Sequence, residues 1–203
     1  MAVVKYIADY EVEPCISCNL CDLVCPSKAI EMVGRKPVID DKLCIGCGRC
    51  VDRCPEDIMW MAPRSAPLTV TVRPEEAPQD AVAALLRRAG IDPNVSVCVC
   101  TLTPASEIAA AIVKGARNLE EVSAATGMRS GCGIYCVAPA LRLLQAAGAD
   151  MAPPRGFRWY PLTLSLWDIS DEARARYPDA FIDEDRAIFD PECKYGPLPG
   201  DAR

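Results

Sequence analysis

Residues 15–26 read CISCNLCDLVCP and residues 44–55 read CIGCGRCVDRCP. Each is C-x2-C-x2-C-x3-C-P. The first is carried by Cys15, Cys18, Cys21 and Cys25 before Pro26, the second by Cys44, Cys47, Cys50 and Cys54 before Pro55. Every cysteine of the second stretch lies 29 residues after its counterpart, so the motif is an internal repeat. This is the spacing that holds a [4Fe–4S] cubane: three thiolates from one tight loop wrap the cluster, and the fourth lies beyond a helical turn and points away. Zinc sites use separated cysteine pairs instead. Proline has no amide hydrogen to continue a helix, so short helices are expected to start near Cys21 and Cys50 and to stop at Pro26 and Pro55. Around them, residues 3–7, 29–33, 37–40 and 57–61 read as strands, with Gly34 supplying the turn between the middle two.

Composition narrows the chemistry. The chain has 13 cysteines and no histidine, which removes Ser-His-Asp and Cys-His catalysis, Cys2His2 zinc, Rieske ligation and His-ligated haem together. The N-terminus lacks a basic stretch followed by an apolar one, so no signal peptide is expected. So many thiols without a secretory route argue for metal binding in a reducing, cytoplasmic compartment rather than for disulfides. Apolar runs such as residues 108–113 are too short to span a bilayer. The formal net charge of −6 leaves no footprint for nucleic acid and is compatible with docking on a basic patch of a redox partner. Much of the hydrophobic content is Ala and Cys and only three Phe are present, which suggests small cores helped by bound metal.

The two quoted stretches, with Lys28-Ala29-Ile30 after the first, resemble the bacterial two-[4Fe–4S] ferredoxin family over roughly residues 1–62. The resemblance implies a pseudo-symmetric α+β ferredoxin fold and electron carriage. In two-cluster ferredoxins the fourth cysteine of each run ligates the other cluster. That assigns Cys15, Cys18, Cys21 and Cys54 to a first cluster, and Cys44, Cys47, Cys50 and Cys25 to a second.

A third cysteine group follows. Residues 63–94 read as a proline-rich linker with one strand at 68–72 and a helix at 80–89 that Gly90 ends. In residues 95–149, Cys98-x-Cys100 and Cys132-x3-Cys136 flank a helix-turn-helix. Thr103 is placed to cap the first helix, with Pro104 at its first position, and Asn118 with Glu121 to cap the second. Spacing alone leaves zinc, a [2Fe–2S] cluster or a redox disulfide open. The stretch VCVCTLTPASEIAAAIVKGARNLEEVSAATGMRSGCGIYC resembles the [2Fe–2S] domain of the bacterioferritin-associated ferredoxin family. The likeness lies in C-x-C, in the helix to Lys114-Gly115-Ala116, in the helix over residues 119–126 and in Gly131-Cys132-Gly133. Relatives commonly have two residues between the last two cysteines, where this chain has Gly133, Ile134 and Tyr135. The resemblance implies a [2Fe–2S] cluster on Cys98, Cys100, Cys132 and Cys136. Lys114, Arg117 and Arg129 are candidates for an anion site or partner patch near it, against the plainer reading of a solvated face.

Residues 150–203 differ in character. Phe157, Trp159, Tyr160, Trp167, Tyr177, Phe181, Phe189 and Tyr195 are spread among prolines, and the segment reads as an extended docking arm with aromatic anchors. Cys193 has no cysteine neighbours and reads as a free thiol. The acidic runs Asp171-Glu172 and Asp183-Glu184-Asp185 read as solvated surface.

One-electron clusters carry charge and do not themselves transform an organic substrate. No flavin, nicotinamide or Walker A motif is present, and no catalytic residue is expected. The sequence therefore predicts an α+β electron-transfer subunit with two [4Fe–4S] clusters and one [2Fe–2S] cluster. It would relay electrons between a catalytic oxidoreductase partner and a soluble or membrane acceptor. Domains resembling the third group occur beside flavin-dependent dehydrogenases, which makes a flavoprotein the expected partner. Electron donation to an iron-storage shell is the alternative, and a scaffold with structural clusters is a third reading.

Overall fold

The computed structural model describes residues 2–151 and 169–185. The chain is a mixed α+β protein. Strand β1 (Ala2–Tyr10) leads into the first cysteine loop and helix α1 (Leu20–Leu23). A hairpin of β2 (Ile30–Val33) and β3 (Lys36–Ile39) follows, then the second loop and helix α2 (Arg49–Arg53), then the long strand β4 (Met59–Val70). β1 and β4 pair antiparallel from Tyr10 opposite Met59 to Ala2 opposite Val70, with an irregularity between Val4 and Tyr6. The repeat is visible in the backbone itself. Ser17, Asn19 and Lys28 have positive φ, and so do Gly46, Gly48 and Asp57, their counterparts 29 residues on.

Two strands expected at residues 57–61 and 68–72 are thus one. The supposed boundary at residue 62 falls inside β4, because β1 runs long enough to pair with all of it. The supposed linker is packed structure on both sides of Val72. Beyond it, helix α3 (Gln79–Ala89) places Val82, Leu85 and Leu86 in the same core as helix α4 (Ala105–Val113), helix α5 (Leu119–Thr126) and helix α6 (Val137–Ala146). Helix α4 packs against α3, α5 and α6. Ile108, Ile112, Val122, Met128, Leu143 and Leu144 are fully buried there.

The helix signals hold at α5, where the Asn118 side chain accepts from the Glu121 amide at 2.8 Å and donates to the Glu121 carboxylate. At α4 the start is displaced. Pro104 itself is the N-cap residue, and Thr103 belongs to a short ladder of β5 (Ser96–Cys98) and β6 (Thr103–Pro104). The Thr103 hydroxyl is engaged by Thr101 at 2.7 Å, which leaves it unavailable as a cap.

The first unit has a thin core: Ala8, Ala29, Ile30, Ile58 and Met59, completed by Cys44 and Cys50. The helical unit has a larger apolar core of its own, contrary to the expectation of small cores throughout. The two units are joined by more than chain continuity. The Thr71 hydroxyl and Val72 amide both donate to Glu107 of α4 at 3.2 Å.

The tail is not extended where it is described. Helix α7 (Asp171–Arg176) is capped by the Ser170 hydroxyl, which accepts from the Ala173 amide at 3.1 Å. Asp171 and Glu172 occupy its first turn, and Asp183 pairs with Arg174. Tyr177 and Phe181 are exposed. Phe157, Trp159, Tyr160, Trp167, Phe189, Tyr195 and Cys193 lie outside the described residues.

Candidate metal centres

Two cavities lie within the first unit, each lined by four cysteines. One is bounded by Cys15, Cys18, Cys21 and Cys54. The other is bounded by Cys25, Cys44, Cys47 and Cys50. The two are near-equal in size, as a repeat demands. Three cysteines of each motif therefore meet the fourth cysteine of the other. The short helices α1 and α2 account for the exchange, since each carries its last cysteine past one full turn and away from its own loop.

Both cavities suit an iron–sulfur cubane by donor chemistry and by their surrounding amides. Thiols are the soft ligands such clusters take. The Ala29 amide donates to the Cys25 sulfur at 3.2 Å, and the backbone amides of Asp22 and Arg49 donate towards Cys21 and Cys47. Burial pushes the Cys21, Cys47 and Cys50 thiols up, Cys50 to about 12, where the neighbouring charges of Cys47, Cys25 and Cys44 add to the effect. Such thiols become thiolates only when a cation replaces the proton. Among the described residues, no three cysteine or carboxylate side chains close tightly enough for one metal ion. Each quartet instead lines one of the two cavities.

The third group is assembled from the β5–β6 corner and the loop before α6. Cys98 and Cys136 are buried, and Cys100 and Cys132 are exposed. The Cys132 amide donates to the Cys100 sulfur at 3.5 Å. The backbone amide of Arg129 donates towards both Cys98 and Cys136. Burial pushes Cys136 up to about 12, with Cys98 opposing its ionisation. Burial also acts against the Cys98 thiolate, but hydrogen bonds from Thr101, the Arg129 amide and Cys136 outweigh it and leave that thiol below its usual range. Amides of Ile134 and Tyr135 lower Cys132. Two of the three residues between Cys132 and Cys136 thus supply donors to the first of the pair. A Cβ at Gly131 would lie 2.5 Å from the Cys100 Cβ and 2.8 Å from its sulfur, so only glycine fits there.

Lys114, Arg117 and Arg129 do not form one patch. Lys114 pairs with Glu76 at 3.3 Å. Arg117 caps the α4 end through the Ile112 carbonyl, and its amide donates to Glu121. Arg129 is buried and paired with Glu120 at 3.3 Å. A buried guanidinium needs such a partner, since taking an unpaired charge out of water costs several kcal/mol.

Arg49 was not singled out from the sequence, yet it spans the two units. Its Nη1 donates to the Arg129 carbonyl at 3.1 Å and to the Gly131 carbonyl at 2.9 Å. The available signal was a break in the repeat, because the first motif has Leu20 where the second has Arg49.

Residues 14–58 match the model of the 4Fe-4S dicluster domain, and residues 96–146 match that of the BFD-like [2Fe-2S] binding domain. A ferredoxin-like protein in the nif region of Sinorhizobium fredii is 43% identical over 47 residues, which are 20% of this chain and 73% of that protein. The chain belongs to the ferredoxin-like iron–sulfur proteins. Its cofactors are two [4Fe–4S] clusters and one [2Fe–2S] cluster. Two relatives carry names of larger assemblies. NADH-quinone oxidoreductase subunit I of Pelobacter propionicus is 38% identical over 68 residues, 27% of this chain and 36% of that protein. A subunit of the Na(+)-translocating ferredoxin:NAD(+) oxidoreductase complex of Acetobacterium woodii is 47% identical over 58 residues, 28% of this chain and 17% of that protein. This ferredoxin-like chain therefore spans only about a third and a sixth of those two relatives. No helix among its described residues is long and apolar enough to cross a membrane.

Proposed function

We propose that the protein is the electron-relay subunit of a multi-subunit oxidoreductase, taking electrons from a flavoprotein partner and passing them to a soluble or membrane acceptor, or the reverse. Cys15, Cys18, Cys21 and Cys54 ligate the first tetranuclear cluster. Cys25, Cys44, Cys47 and Cys50 ligate the second, and Cys98, Cys100, Cys132 and Cys136 ligate the binuclear one. The observation that carries the reading is the gathering of three thiol quartets in one chain, with an exposed cysteine in the first (Cys18), two in the third (Cys100 and Cys132) and none in the second. A relay needs an entrance and an exit, and a structural scaffold needs neither. The names of the two larger relatives, both oxidoreductase subunits, agree with a place in a complex. The many free thiols suit a reducing, cytoplasmic compartment.

Anaerobic copurification with flavin analysis tests the partner. A flavoprotein held at fixed stoichiometry and able to reduce all three centres is the expected result. An iron-storage shell in its place would move the assignment to the alternative role. Centres that no physiological reductant reduces would refute the relay.

A further inference from the structure

The repeat makes the two tetranuclear sites equivalent in sequence, but the helical unit treats them unequally. It covers Pro26 and Ser27, which are buried, and leaves their counterparts Pro55 and Glu56 exposed. Two arginines make the contact. The Arg129 Nη1 donates at 3.2 Å to the carbonyl of Pro26, the residue after Cys25. The backbone amide of the same Arg129 donates towards the sulfurs of Cys98 and Cys136. Arg49 closes a second route. Its own amide donates towards the Cys47 sulfur, while its side chain reaches the carbonyls of Arg129 and Gly131. The fit is close: a Cβ at Gly133 would lie 2.5 Å from the Arg49 Nη1. Both routes begin at a cysteine of the second quartet and converge on Arg129. Neither touches Cys15, Cys18, Cys21 or Cys54.

We propose that Arg129 and Arg49 are the bridge through which the second tetranuclear site exchanges electrons with the binuclear site, leaving the first tetranuclear site as the far terminus of the line. The inference rests on the ligand assignment above. One electron crosses at a time; what one thiolate quartet's centre loses the other gains, and no bond forms or breaks. The bridge has two physical parts. Hydrogen bonds to thiolates link the two ligand sets through a few polarised groups. The Arg49 charge lies between the sites, where it favours the more reduced, more negative state of either centre, while Glu120 neutralises that of Arg129. Glu120 holds the Arg129 end in place at 3.3 Å. Arg49 and Arg129 are positioning and tuning residues; neither is a ligand.

The test uses the full-length holoprotein. Arg49→Gln removes one charge and both carbonyl contacts from a half-buried side chain. Arg129→Lys keeps the charge, but its ammonium ends short of the Nη1 position that serves both Pro26 and Glu120. Iron and sulfide are counted first, and each centre is identified by EPR. After rapid reduction of the tetranuclear pair, the rate of electron arrival at the binuclear centre is followed optically. Slower arrival at the binuclear centre is expected in both variants, with iron content unchanged. Arg49→Gln should also lower the binuclear midpoint potential, which Arg129→Lys should not. In the unmutated protein, the binuclear EPR signal should split when the second centre is reduced, and the splitting should survive loss of the first centre in Cys18→Ser. Wild-type arrival rates in both variants at full iron content would overturn the bridge. Splitting that vanishes with the first centre alone would overturn the order. Absence of iron and sulfide from the unmutated protein would instead defeat the underlying ligand assignment.

Discussion

Replacing Gly46 by serine probes the site through its own internal control. Gly46 stands where the first motif has Ser17, 29 residues earlier, and both have left-handed backbone, φ +64° and +60°. Serine is accommodated at residue 17, where its hydroxyl donates to the Arg35 carbonyl at 2.5 Å. At residue 46 it is not. A Cβ there would lie 2.5 Å from the Val4 Cγ1 and 2.8 Å from the Tyr6 carbonyl oxygen. The valine methyl can turn aside, but the Tyr6 oxygen belongs to the β1–β4 pairing and also accepts from Arg64, which holds the Cys44 carbonyl as well. Left-handed strain costs an L-residue about 1–2 kcal/mol, and forcing atoms into a packed site costs about 1–3 kcal/mol. Gly46→Ser should therefore destabilise the chain by about 2–5 kcal/mol, a large part of typical domain stability. Ser17→Gly relieves strain and loses one hydrogen bond, two effects of about 1 kcal/mol each that nearly cancel. Anaerobic denaturant unfolding with iron counting and EPR measures both. Gly46→Ser should lower the midpoint and deplete the second tetranuclear centre while the binuclear signal stays; Ser17→Gly should stay within about 1 kcal/mol of the parent. Equal losses in the two variants, or an unaltered Gly46→Ser, would refute the packing argument.

Further outcomes follow from the same geometry. Cys54→Ser should remove the first tetranuclear centre before the second, because Cys54 lines the cavity of Cys15, Cys18 and Cys21; EPR and iron analysis showing the opposite order would contradict the exchange of fourth cysteines. Chelation of iron should expose residues 11–55 to limited proteolysis before the helical unit. Among the described residues, the core of the first unit has seven buried apolar or cysteine residues, and that of the helical unit has twenty. Helical unit first would count against this account. Cys50 and Cys136 hold their protons up to about 12 in the metal-free chain, so protons compete strongly with iron at neutral pH. Iron retention under a fixed chelator challenge should rise from pH 6 to pH 8, and a falling profile would count against it. Without metal the sign is opposite. The fold keeps these thiols protonated, so their contribution to stability should fade as pH climbs from the ordinary thiol value of 9.0 towards about 12, as unfolding midpoints would record.

What could be read from the chain alone was governed by covalent spacing. The cysteine runs, the prolines after them and the Asn118–Glu121 cap act within a few residues, so their geometry follows from local chemistry. Longer-range facts were hidden. Residues 63–70 carry a linker signal at Pro63 and Pro67, with Pro74 nearby, yet β1 is long enough to pair with them. Thr103 has the chemistry of a cap, but Thr101 competes for its hydroxyl. Arg129 looked like a surface cation until Glu120, nine residues earlier on α5, neutralised it in the interior. Arg49 carried a signal only as a mismatch between repeats, and its partners lie about 80 residues away in sequence. The α7 helix was obscured by the prolines and aromatics around it.

The most direct test of the central claim is an EPR-monitored redox titration of the anaerobically purified protein, with iron and acid-labile sulfide counted on the same sample. Iron and sulfide are expected in the amounts of two [4Fe–4S] clusters and one [2Fe–2S] cluster per chain, with three centres that reduce and reoxidise reversibly. A folded, colourless chain without sulfide, or clusters that stay redox-silent across the accessible range, would contradict it.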